Sequence, residues 1–91
     1  MERSIVSKKS IGFSVRIINL CKYLKSKKRE NVISEQILKS GTSIGANIAE
    51  SQCASSRRVF LAKMQIAYKE CSETKNWLTL LKETNYISDD E

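Results

Sequence analysis

The stretch Ser40-Gly-Thr-Ser-Ile-Gly-Ala-Asn-Ile-Ala-Glu50 decides the fold of this chain. It lies in a segment with helical periodicity, yet it contains Gly41 and Gly45, and glycine costs about 1 kcal/mol relative to alanine inside a helix. A helix that keeps such residues is expected to pack very closely against a neighbour. We therefore predict a close helix contact along Gly41, Gly45 and Ala49, which are spaced four residues apart.

The helix that contains this stretch is predicted over residues 33–52. Isoleucines at helical spacing give it an apolar face, and the small residues form a smooth flank of that face. Polar side chains gather on the other flank: Gln36, Ser43, Asn47 and Glu50. We therefore predict one apolar, one smooth and one hydrogen-bonding side.

The preceding helix begins near Ile5 or Ser10 in the apolar pattern, and we assign it to residues 10–26. Its apolar residues form two stripes on nearly opposite sides. One stripe is Phe13, Ile17, Leu20 and Leu24, and the other is Ile11, Val15 and Ile18. One antiparallel neighbour cannot cover both stripes, so this helix is either central in its own bundle or shared with another subunit.

The third helix is predicted over residues 56–84, after a serine-rich break in which Ser55 or Ser56 can cap it. Tyr86 and Ile87 are expected to tuck against the bundle, and residues 88–91 to form a solvated tail. The helix has a heptad seam typical of left-handed bundle packing. That seam is Phe60, Met64, Ala67, Cys71, Thr74, Leu78 and Leu81.

The composition favours long helices in a single domain spanning residues 1–91. The chain has no proline and only three glycines, so tight-turn β architectures are disfavoured. Three amphipathic helices with short connectors predict an all-α, up-and-down antiparallel helical bundle.

Catalysis finds little support in the residue types present. The chain has no histidine, which removes the commonest general base and metal ligand. The cysteines, Cys21, Cys53 and Cys71, are widely spaced and odd in number, so neither a disulfide framework nor a zinc site is expected. We expect no enzyme, no cofactor and no metal, a cytoplasmic protein with reduced thiols, and Cys71 in the core. No apolar run approaches the roughly 20 residues needed to span a bilayer.

The charge of the chain is more informative. The net charge is +6, and the terminal acids Asp89, Asp90 and Glu91 mask a more basic body. Cations concentrate at helix ends, where they are candidate phosphate contacts. The first group is Lys22, Lys25, Lys27, Lys28 and Arg29, and the second is Arg57 and Arg58. The alternative for both groups is ordinary surface charge.

The segment Gln36–Glu50 resembles the signature of the bacterial four-helix bundle family. This family includes the proteins of intervening sequences in 23S ribosomal RNA genes and the accessory variability proteins of diversity-generating retroelements. The resemblance continues through Phe60–Ala67, Glu73–Leu78 and the Tyr86-Ile87 ending, and so covers most of the chain.

The resemblance implies an antiparallel bundle without enzymatic activity. For the retroelement members it also implies a homopentamer that binds nucleic acid and associates with a reverse transcriptase. The positions that match the family's polar residues are Asn47, Glu50 and Glu73, which we expect to form a buried or interfacial hydrogen-bond set. Family members usually continue into a fourth helix, so we expect a three-helix variant or a truncated form.

Two functional hypotheses follow. The first is a homo-oligomeric accessory protein that binds RNA or DNA with weak sequence specificity and has no membrane partner. The second is a protein-interaction helical module whose positive charge serves only solubility.

Overall fold

Three α-helices make up the computed structural model, which describes residues 5–88. Helix α1 is Ile5–Ser26, α2 is Val32–Gln52 and α3 is Arg57–Glu83, and there is no strand within the described range. The predicted all-α antiparallel bundle of three helices is confirmed. Helix α1 begins at Ile5, earlier than the assigned start at residue 10. In the predicted tail Ser88 is exposed, and residues 89–91, including the terminal acids, lie outside the described residues.

Helix α2 is the central helix. It packs against both α1 and α3, whereas α1 and α3 make no close backbone approach to each other within the described chain. The possibility that α1 is central is therefore wrong. In the single chain, the second apolar stripe of α1 faces outward and is exposed. This outward stripe consists of Ile11, Val15 and Ile18.

The core is built along α2 in two clusters. The larger one lies near the end where α1 stops and α2 starts, and it consists of Ile17, Cys21, Leu24, Ile37 and Leu81. The smaller cluster lies nearer the other end and consists of Ile44, Ile48 and Ala67. The isoleucines of α2 therefore serve both neighbours, as the apolar centre of its sequence predicts.

Close packing at the two glycines of α2 comes from α1. A Cβ atom on Gly41 would lie 2.9 Å from Ile17 Cγ2, and one on Gly45 would lie 3.0 Å from Ser14 Oγ. The smooth side of α2 thus faces α1 at these two positions. Ala49 is exposed, so its inclusion in the close contact is wrong. A spacing of four residues turns about 40° around the helix at each step, so Ala49 has turned out of the face that Gly41 and Gly45 present to α1.

The seam of α3 is covered only where it faces α2. Ala67, Thr74 and Leu81 are buried, whereas Phe60 and Cys71 are exposed. The prediction that Cys71 lies in the core is therefore wrong. The physical reason is that α3 makes its close backbone contacts with α2, so its seam stays open where it turns away from α2, at Phe60 and Cys71.

The buried thiol belongs instead to Cys21, whose Sγ donates to the backbone oxygen of Ser34 at 3.3 Å. Burial raises the pKa of Cys21, and Lys25 partly opposes this effect. Cys71 is exposed, but nearby protein atoms partly desolvate its thiol and raise its pKa as well. Neither cysteine has the lowered pKa of a reactive nucleophile.

Local sequence fixes both ends of α3. The Ser56 hydroxyl accepts from the Val59 amide at 3.2 Å, so Ser56 is the N-cap. At the other end, Asn85 has a φ of 65°, which asparagine tolerates better than most residues. The Tyr86 amide donates to Leu81 O at 2.9 Å and completes a Schellman ending. Tyr86 and Ile87 then pack against the larger core cluster, as predicted.

Candidate nucleic-acid interface

The end of α1, the connector and the start of α2 bring cations together in one region, which we call the loop cluster. Its members are the predicted residues Lys22, Lys25, Lys27, Lys28 and Arg29. Lys25 is half-buried and forms an ion pair with Glu35 on α2. The other four are exposed and have no ion pair within residues 5–88. Four of the five predicted cations are therefore available to a polyanion.

The backbone of the connector is ordered by the side chain of Glu30. Although it is charged, Glu30 is only 7% exposed. Its carboxylate accepts the amides of Val32 at 3.1 Å, Ile33 at 2.8 Å and Ser34 at 2.8 Å. These are first-turn amides of α2, which no intrahelical carbonyl can reach. The sequence analysis did not assign Glu30 this role. The available signal was a carboxylate just before a predicted helix start, where it can accept hydrogen bonds from the free amides of the first turn.

Arg57 and Arg58, which we call the arginine pair, begin α3. Both are exposed, and no acidic residue lies in this first turn. The positive end of the helix macrodipole and two guanidinium groups therefore add together here, with no carboxylate in that turn to offset them. This combination favours an anion.

The two groups lie at opposite ends of the bundle. Because α2 has 21 residues, it separates its two ends by roughly 30 Å. The loop cluster lies at the N-terminal end of α2, and the arginine pair follows its C-terminal end. Lys8 and Lys9, exposed on the first turns of α1, lie at the same end as the arginine pair. Sequence analysis missed these two lysines because it placed the start of α1 at residue 10.

The three predicted polar residues do not form one set within a single chain. Asn47 is buried and its amide donates to Ser43 O at 2.9 Å, within α2. Glu50 is exposed and pairs with Lys63 at 2.7 Å. Glu73 is exposed without a hydrogen bond in the described structure. The set is not assembled because Glu73 is on the solvent side of α3, away from α2.

An apolar groove lies over α2, between α1 and α3. It holds a cavity of about 220 Å³, smaller than most small-molecule sites. Its lining is Val6, Lys9, Ser10, Phe13, Ile44, Ile48 and Cys71. The groove carries one cation and a thiol of raised pKa, but no histidine or carboxylate. It is therefore shaped for apolar contact rather than for acid–base chemistry.

No three cysteine, aspartate or glutamate side chains within residues 5–88 are grouped as a metal site would require. In the same part of the chain, no helix combines the length and apolarity needed to cross a bilayer.

Fold and surface together define a helical-bundle protein with exposed cationic ends. The family model described as 23S rRNA-intervening sequence protein matches residues 2–91, and the chain belongs to that family. A protein of unknown function from the S23 ribosomal protein family of Bacteroides thetaiotaomicron VPI-5482 is 52% identical, with a TM-score of 0.92. The match covers 94% of this chain and 80% of that one. No curated protein matches significantly. The resemblance to retroelement accessory proteins stays a prediction.

Proposed function

We propose that the chain is a non-enzymatic, self-associating accessory protein that binds nucleic acid through phosphate contacts. The observation that carries the proposal is the pair of exposed cationic groups at the two ends of the bundle. In particular, Lys27, Lys28 and Arg29 have no carboxylate partner within residues 5–88. Unpaired cations on a rigid scaffold attract a polyanion and release its counterions on binding.

The chemistry of these groups favours weak sequence specificity. Lysine and arginine at loop tips and helix ends contact phosphates, which fix position without reporting sequence. RNA and DNA are both suitable ligands on this basis. The family description names an intervening sequence of 23S rRNA, which is in keeping with an RNA ligand. The resemblance to retroelement accessory proteins adds a reverse transcriptase as a proposed protein partner.

Self-association is supported by apolar side chains that the single chain leaves exposed. Val15 is 51% exposed on α1, and Ile66 is 41% exposed on α3. Soluble monomers rarely leave extensive contiguous apolar surface uncovered. A homopentamer is the assembly that the resemblance favours. Self-association would repeat each cationic group around the assembly and so strengthen binding through multivalency.

The salt dependence of binding tests the proposal. The wild-type protein is titrated into a short labelled single-stranded RNA, and separately into duplex DNA, between about 50 and 200 mM salt, with fluorescence anisotropy as the readout. For single-stranded RNA, the logarithm of the binding constant should fall with the logarithm of the salt concentration by about −0.7 per phosphate contact. Three or more contacts therefore predict a slope of about −2 or steeper. Absence of binding to both ligands at the lowest salt would contradict the proposal.

The apolar groove supports a second candidate function. A groove with apolar walls and floor suits the apolar face of a partner helix. The chain would then be a protein-interaction module whose charge serves solubility. Binding to a protein through this groove would depend only weakly on salt, which separates it from phosphate binding.

A further inference from the structure

The connector that carries Lys27, Lys28 and Arg29 is held at both of its ends. Before it, the Lys27 amide donates to Tyr23 O at 2.8 Å. After it, the Glu30 amide donates to Leu24 O at 2.9 Å. Three cations therefore project from a short loop with defined ends rather than from a free chain.

Glu30 links this loop to the start of α2. Besides its carboxylate bonds to three α2 amides, its backbone oxygen accepts from Ser34 Oγ at 3.0 Å. Ser34 itself is fully buried. The residue that follows the cations is thus fixed through both its side chain and its backbone.

Arg29 shows that the loop has a specific conformation. Its φ is 54°, in the left-handed region that residues with a side chain rarely adopt. A non-glycine residue keeps such a conformation only where its surroundings impose it. Arg29 lies inside the turn that the Glu30 amide closes by donating to Leu24 O.

We propose that Glu30 is a positioning residue that preorganises Lys27, Lys28 and Arg29 for contact with a nucleic-acid phosphate backbone. This inference rests on the proposed function and adds how its loop cluster works. A disordered lysine-rich loop loses backbone entropy when it binds, whereas an ordered loop has lost it on folding. Glu30 therefore strengthens the binding of an anion although it is itself an anion.

The test uses a matched pair of substitutions for which loop order and simple electrostatics predict opposite signs. Glu30→Gln and Glu35→Gln each remove one negative charge beside the loop cluster. Electrostatics alone predicts tighter RNA binding for both variants. Loss of loop order predicts that Kd rises about tenfold for Glu30→Gln, while Glu35→Gln, which also frees Lys25, binds as tightly as wild type or more tightly.

A second pair leaves the charge unchanged. Ser34→Ala removes the hydroxyl that bonds to Glu30 O, and it serves where Glu30→Gln fails to fold. Ser26→Ala is its control, because Ser26 is exposed and its hydroxyl donates to the Lys22 carbonyl of its own helix, with no other bond within residues 5–88. We expect weaker RNA binding for Ser34→Ala alone, measured well below its melting temperature on protein shown to be helical by circular dichroism.

Amide hydrogen exchange supplies an independent readout without ligand. The amides of Val32, Ile33 and Ser34 should exchange faster in Glu30→Gln than in Glu35→Gln. Equal exchange, or RNA binding by both test variants as tight as by their controls, would overturn the inference. Failure of the proposed function is a different result, since the wild-type protein itself would then bind no RNA or DNA.

Discussion

Gly41 and Gly12 are both helical glycines, but their surroundings are opposite. A Cβ on Gly41 would lie within 3.0 Å of two carbons of Ile17, whose side chain is only 3% exposed and cannot move aside freely. A Cβ on Gly12 would meet nothing within 4 Å. Gly41 is therefore required by packing, whereas Gly12 only weakens its helix.

Alanine substitutions at these two positions should differ in stability. Gly12→Ala is expected to raise the free energy of unfolding by up to about 1 kcal/mol through helix propensity. Gly41→Ala has the same propensity gain, so the difference between the variants reports the overpacking against Ile17, about 1–3 kcal/mol. Urea unfolding followed by far-UV circular dichroism measures both. Equal stabilities would mean that α1 does not approach α2 closely at Gly41.

For single residues, the sequence predicted the close helix contact, which depends on side-chain size. It did not predict the burial of Glu30, which depends on the tertiary structure. Two glycines four residues apart in a helix indicate that another helix packs closely against them. Gly41 and Gly45 are packed in this way against α1. Ala49 shares their spacing but has turned out of the face that contacts α1. Glu30 could not be distinguished from an ordinary solvated acid, because its burial depends on how the connector turns back onto α2.

Helix α2 joins to α3 through polar as well as apolar contacts. Thr74 Oγ1 on α3 donates to Ser40 Oγ on α2 at 2.8 Å, and both side chains are almost fully buried. Sequence analysis placed Thr74 correctly on the α3 seam but gave Ser40 no role. Three serines of α2 are buried although serine is usually a surface residue, so the sequence alone does not mark them. They are buried because they lie on the sides of α2 that its neighbours cover: Ser34, Ser40 and Ser51.

This buried pair predicts a non-additive double-mutant cycle. Thr74→Val keeps the shape of the side chain but leaves the Ser40 hydroxyl without its α3 partner, at a cost of about 1–3 kcal/mol. Ser40→Ala in addition removes the stranded group, so the double variant should be more stable than the sum of the single changes predicts. Thermal or urea unfolding of the four proteins measures the coupling. Strict additivity would show that the hydrogen bond does not form.

On the scale of the whole molecule, the order of packing was the feature hardest to predict. The spacing of apolar residues predicted the three helices, and the short connectors predicted their antiparallel order. They did not show that α2 is the helix whose backbone approaches both of the others, because two apolar stripes on α1 fit equally well a central helix and one shared between subunits. The structure removes the first possibility, which leaves exposed apolar surface on α1 and α3.

That exposed surface predicts self-association. Multi-angle light scattering at micromolar concentration should give a multiple of the chain mass of 10.4 kDa. Val15→Lys, which places a charge on the outward stripe of α1, should lower the assembly mass. Gln36→Lys adds the same charge at an exposed polar position of α2 and should not. A wild-type mass of one chain would contradict the prediction.

The central claim is that the two cationic ends bind phosphate, and charge reversal at those ends tests it most directly. The triple variant Lys27→Glu, Lys28→Glu, Arg29→Glu is compared with an equal reversal at the exposed residues Lys39, Lys69 and Lys75. Arg57→Glu, Arg58→Glu is compared with reversal of Lys69 and Lys75 alone. Each pair has the same net charge, so long-range attraction is matched.

RNA affinity is measured for all four variants at about 50 mM salt, where phosphate contacts contribute most. We expect at least one of the two end variants to bind RNA about tenfold or more weakly than its matched control. If both end variants bind as tightly as their controls, the positive ends are not the binding surface, and the charge of the chain serves solubility.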